Sequence, residues 1–147
     1  MNEKDYKEDI NALDEIHKGA CMGVDAISFV LDKVEDKKLK KELEREEAEY
    51  NKIKKEIEDI YPKYNEGKPH ETNAMNKAMT WSGIEMKTFM DNSTSKLAEL
   101  LLQGVNMGVI EGRRILNEKK INGEVNDIIS RYVTMQEQNV ENLKCYL

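Results

Sequence analysis

The stretch QGVNMGVIEGRRI, residues 103–115, decides the fold. Gly104, Gly108 and Gly112 fall four residues apart, and Leu97, Leu101, Ile115 and one carboxylate, Glu111, share their face. This spacing is that of a helix stripe. A glycine inside a helix costs about 1 kcal/mol relative to alanine, so three on one stripe need a compensating contact. Close approach of another helix is the simplest one. A second small-residue pair, Gly19 and Gly23, lies on the first helix. The two stripes are expected to pack against each other.

The chain has 147 residues, of which 35% are charged and 39% hydrophobic, with only two prolines. That length suits one domain, residues 1–147, with its own core. The composition suits long amphipathic helices, and no strand pattern is present. The net charge of -6, with both signs interspersed, argues against a general nucleic-acid or anionic-membrane binder. No apolar run reaches the length of a membrane span. The start, MNEKDYKEDI, lacks the regions of a signal peptide. Two cysteines, Cys21 and Cys145, are too few for a disulfide framework. A cytoplasmic protein with free thiols is the expectation.

Five helical segments are expected. The first runs from about Asp5 to Val34, with the seam Tyr6, Ile10, Leu13, His17, Ala20, Val24, Ile27, Leu31, Val34 in alternating steps of four and three. A turn at Glu35 and Asp36 follows, with Asp36 as N-cap. The second, about Lys37 to Tyr61, carries Leu39, Leu43, Glu46, Tyr50, Ile53, Ile57 and Ile60 against a solvated Lys/Glu face. So short a link makes the two an antiparallel hairpin. Pro62 to Glu71 is a loop. The third segment runs to about Met90, with methionines at helical spacing that read as adaptable core filler. Asp91 to Ser95, DNSTS, is dense in capping residues and predicts a break. The fourth covers about Ser95 to Asn117, Asn122-Gly123 turns the chain, and the fifth covers about Glu124 to Tyr146. The last has amides, Gln136 and Asn139, on or near its seam. The fold class expected is all-α: an antiparallel four-helix, ferritin-like bundle with one extra or broken helix.

Four segments each place one ionisable residue on an apolar face: His17, Glu46, Glu85 and Glu111. A buried carboxylate must be paired, protonated or bound to a cation. Three carboxylates and an imidazole would suit iron, manganese or zinc. Separate, individually satisfied polar groups are the competing reading. The axial positions favour the latter, because His17 and Glu46 lie at different depths below the hairpin turn. Cys21, one turn after His17, adds a His-x-x-x-Cys face of low specificity. No complete catalytic set can be assembled from spacing alone.

The stretches LLQGVNMGVIEGRRIL and NGEVNDIISRYVTMQEQNVENLKCYL, within residues 97–147, resemble a widespread and mostly uncharacterised bacterial family of ferritin-like helical domains. Gly108, Ile110 and Glu111 match that family's small, aliphatic and acidic positions. Gln138, Val140 or Glu141, and Leu143 to Leu147 echo its second helix. Val105 and Asn106 stand where the family carries paired histidines. The resemblance implies a ferritin-like bundle and a suspected metal site. Two functions are therefore expected as alternatives. One is a non-enzymatic bundle acting by self-association or by binding a protein partner. The other is a metal-binding protein with His17, Glu46, Glu85 and Glu111 as ligands.

Overall fold

The computed structural model describes residues 6–69, 91–118 and 120–147. Four α-helices make up the described architecture: α1 (Lys7–Leu31), α2 (Lys37–Ile60), α3 (Thr94–Glu118) and α4 (Gly123–Lys144), with a 3-10 turn at Tyr61–Lys63 after α2. Among the described residues there is no strand. The third segment expected from the sequence, with Glu85 and Trp81, lies outside the described residues.

The helix ends follow local chemistry. Asp36 caps α2, its Oδ1 accepting from the Leu39 N–H at 2.8 Å. Pro62 lacks an N–H and ends regular α-helix at Ile60. Residues 91–93 are non-helical and α3 starts at Thr94, within the expected DNSTS stretch; the segment before it lies outside the described residues. The Ser93 hydroxyl accepts from the Lys96 N–H at 3.3 Å. Asn122 caps α4 through the Glu124 N–H at 3.0 Å. Helix α1 stops at Leu31, three residues short of the expected Val34.

Every neighbouring pair of helices is antiparallel. His17 and Ser28 of α1 meet Glu58 and Glu47 of α2. On the α2–α4 side, Glu42 meets Asn142, Tyr50 meets Gln136 and Glu56 meets Arg131. Gly108 and Gly112 of α3 face Gln136 and Val133 of α4. The start of α1 meets the link after α3, where Glu8 and Asp9 accept from the backbone N–H groups of Lys120 and Asn122. Helices α1 and α4 lie on one diagonal of the bundle, α2 and α3 on the other. Helices α2 and α3 therefore run the same way, and α2 finishes and α3 starts at opposite ends of the bundle.

The buried apolar side chains form one cluster drawn from all four helices, including Leu13, Ile16, Leu39, Leu43, Ile57, Leu97, Ile115, Ile129 and Leu143. The seams read in α1 and α2 supply Leu13, Leu39, Leu43 and Ile57, while Ile16 and Ile129 lie beside the expected seam positions and Ile10, Val24 and Leu31 are only partly buried. No helix among the described residues is long and apolar enough to cross a membrane.

Candidate functional site

The glycine stripes do not pack against each other as expected. Each makes room for a side chain from another helix. A methyl group at Gly23 would stand 2.8 Å from the Tyr50 ring of α2, and one at Gly19 2.8 Å from the Tyr132 hydroxyl of α4. At Gly108 it would stand 2.5 Å from Gln136 Nε2. Gly112 likewise receives Val133. The helix-interior glycines are thus offset by tyrosine, glutamine and valine side chains that fill the bundle where Cβ atoms would have stood. Gly104 is the exception, since a methyl group there would have nothing within 4 Å among the described residues.

The tyrosines and the glutamine form a buried hydrogen-bonded chain. The Tyr50 hydroxyl donates to Gln136 Oε1 at 2.6 Å, and Gln136 Nε2 donates to the Tyr132 hydroxyl at 3.0 Å. Burial pushes the Tyr50 hydroxyl far up and that of Tyr132 up to about 12. Both hydroxyls stay neutral at any physiological pH, Tyr50 donating to the amide and Tyr132 accepting from it. An amide between two phenols suits them, because it offers one acceptor and one donor at a fixed separation.

One turn toward the start of α2, the chemistry becomes ionic. Glu46 is 1% exposed and its Oε2 has no hydrogen-bond partner. Burial, then its hydrogen bond and charge repulsion with Glu42, push its carboxyl up to about 9. Glu46 is therefore protonated at neutral pH. Burial would raise the Glu42 carboxyl too, but hydrogen bonds from Arg45, Glu46 and Asn142 outweigh it and hold it below its ordinary value. Arg45 also donates to Asn139 Oδ1 at 3.2 Å. Asn139 is fully buried, with its Nδ2 unpartnered. One carboxylic acid and one carboxylate side by side is how like charges resolve at close range.

His17 is a separate centre. Its ring is fully buried, with Nε2 3.0 Å from Glu58 Oε1 and Nδ1 3.8 Å from Cys21 Sγ. Burial opposes the imidazolium, but the hydrogen bonds to Cys21 and Glu58 outweigh it and leave the pKa above its ordinary value. His17 is level with Glu58, which is twelve residues after Glu46 on α2. At the helical rise that is about 18 Å of axial separation. His17 and Glu46 thus do not meet.

Glu111 departs from expectation more sharply: it is exposed, not buried. Residues 104, 107, 111 and 118 lie on the outer side of α3, while Val105 and Gly112 take the core. With Glu85 outside the described residues, two of the four expected site residues are buried and apart, and one is on the surface. Among the described residues, no three His, Cys, Asp or Glu side chains come together in a way that could hold a metal ion.

Glu111 instead borders a groove of about 550 Å³ between α1 and α3, with Ile115, Arg114 and Glu118 also on α3 and Glu15 on α1. Its lip is apolar. Met107 is 70% exposed and Ile110 49%. Met22, 40% exposed, lies two turns after Glu15 on the same face of α1. Three of the four large apolar side chains exposed among the described residues thus share this face; the fourth is Leu147.

Three partners were hidden in the sequence. Glu58 sits in the Lys/Glu run of α2 beside the seam residue Ile57, and only the hairpin register brings it to His17. Arg45 and Glu42 are likewise one of many charged pairs until α4 approaches. Known protein families, curated proteins and solved structures contain no match to the chain.

Proposed function

We propose that this is a non-enzymatic binding bundle, acting through its α1/α3 face on a second copy of itself or on another protein. The carrying observation is that Met107 and Ile110 are exposed on the groove, with Met22 exposed two turns after the lining residue Glu15 on α1. Apolar side chains concentrated on one face of an otherwise well-buried protein mark an interaction surface. The buried polar groups support this reading by what they lack. Tyr50, Gln136 and Tyr132 satisfy one another, and none of them borders the groove. A photo-crosslinking residue in place of Met107 is expected to trap a protein in the host cell, at one adduct size, with the yield falling when Ile110→Lys is added. No adduct from this position would sink the proposal.

A ferritin-like, metal-handling role is the second reading. Its support is the connection order, with a single change of ends between α2 and α3 as in ferritin-like bundles. Glu46, buried with one oxygen unpartnered, adds to it. Iron, manganese and zinc suit carboxylate and imidazole donors. Elemental analysis after aerobic incubation with ferrous iron tests it, and protein that retains no metal removes it.

A further inference from the structure

We infer that one internal water molecule binds between Glu46 of α2 and Asn139 of α4 and bridges the two helices. The inference is independent of the α1/α3 face. Two orphan atoms carry it. Glu46 is 1% exposed and Asn139 fully buried, yet Glu46 Oε2 and Asn139 Nδ2 have no hydrogen-bond partner among the described residues. Buried polar atoms in native proteins are nearly always paired, by protein or by ordered water. The register brings these two together. Glu42 meets Asn142, Arg45 meets Asn139 and Tyr50 meets Gln136 across the antiparallel pair. Glu46 directly follows Arg45 and so stands level with Asn139. Tyr50 lies one turn further along α2, and its hydroxyl feels both the Glu46 carboxyl and the Asn139 amide.

The donors and acceptors fit one water. Glu46 gives its proton to Glu42, which leaves Oε2 as an acceptor. Asn139 Oδ1 is taken by Arg45 at 3.2 Å, which leaves Nδ2 as a donor. A donor and an acceptor that do not reach each other are matched by a molecule that is both. Water accepts from Asn139 Nδ2 and donates to Glu46 Oε2. Its second proton suits the Tyr50 hydroxyl, whose own proton goes to Gln136. About three hydrogen bonds are usual for a buried water. Charge disfavours an ion. A cation would sit beside the Arg45 guanidinium and against an amide N–H, and an anion would sit beside the Glu42 carboxylate. The water joins the Glu42, Arg45 and Asn142 cluster to the chain of Tyr50, Gln136 and Tyr132. The result is one continuous polar seam between α2 and α4.

High-resolution crystallography of the full chain tests it. A single density peak is expected at about 2.7–3.2 Å from both Glu46 Oε2 and Asn139 Nδ2. Glu46→Gln keeps the carbonyl and is expected to retain the peak, whereas Glu46→Leu and Asn139→Leu are expected to lose it. By urea titration, each leucine variant is expected to raise the unfolding equilibrium constant about tenfold, because it leaves the opposite atom orphaned. The double variant is expected to recover most of that loss, since neither orphan remains. An Asn139 amide bonded directly to Glu46, with no peak between them, would overturn the inference. So would a peak with contacts of about 2.0–2.6 Å, the range of a bound divalent cation. Single losses that simply add in the double variant would overturn it as well, because the two side chains would then share no partner.

Discussion

Gly108 and Gly104 stand one turn apart on α3 and meet opposite surroundings. A side chain at Gly108 would collide with Gln136 and crowd the Tyr132 hydroxyl, whereas one at Gly104 would meet nothing among the described residues. The inner side of the helix is filled by a hydrogen-bonded network. The outer side ends in a groove with exposed methionine and isoleucine. Equal spacing in sequence therefore carries two different jobs. One glycine is a seat for a neighbour's side chain, and the other leaves a surface open. The same division separates the carboxylates: Glu46 is sealed inside and protonated, while Glu111 faces out.

The largest effect expected from this contrast is at the inner glycine. Gly108→Leu forces apart Gln136 and Tyr132, adding overpacking of about 1–3 kcal/mol to buried hydrogen bonds whose loss costs a similar amount. A drop of about 4 kcal/mol in unfolding free energy is expected by urea titration, as an order of magnitude. An unchanged midpoint would mean that the network does not fill this site.

Glu46→Gln comes next and is read against pH. The folded protein holds the Glu46 proton up to about 9, while the unfolded chain releases it near 4.5. The folded state thus binds more protons across that window, and stability falls as pH rises through it. The slope is about 1.4 kcal/mol per pH unit for one fully shifted group. Glutamine keeps a donor for Glu42 without the ionisation. The variant is expected to match the parent near pH 5 and to exceed it by about 2–3 kcal/mol at neutral pH. Parallel pH profiles would show that Glu46 is ionised in the folded protein.

The smallest effect is at the outer glycine. Gly104→Ala should raise stability by up to about 1 kcal/mol, since it gains helix propensity and meets no neighbour among the described residues. Loss of stability there would reveal a contact on the outer face and break the comparison with Gly108.

Much of the bundle is legible in the chain alone. The steps of four and three in α1 and α2 identify the core residues Leu13, Ile27, Leu39, Leu43 and Ile57. Asp36 and Asn122 mark helix starts through their own side-chain chemistry. His17 and Glu46 read as buried because they interrupt apolar seams. Glu111 misleads, because it shares the face of Gly104 and Gly108. A helix stripe that wide has one edge in the core and one in solvent, and periodicity alone does not say which edge a residue occupies. The glycine stripes mislead in the same way, since a missing side chain signals close approach without naming what approaches.

The sequence by itself determined the helices, their caps, the hairpin of α1 and α2, and which faces are apolar, because these depend on contacts within a few turns of chain. Only the tertiary structure decided that tyrosines and a glutamine from α2 and α4 occupy the glycine seats. It alone paired His17 with Glu58, and it alone put Met22, Met107 and Ile110 on one open face. Those outcomes depend on the rotation and register of whole helices against one another. Both are set by the summed packing of the core and not by any local run of residues.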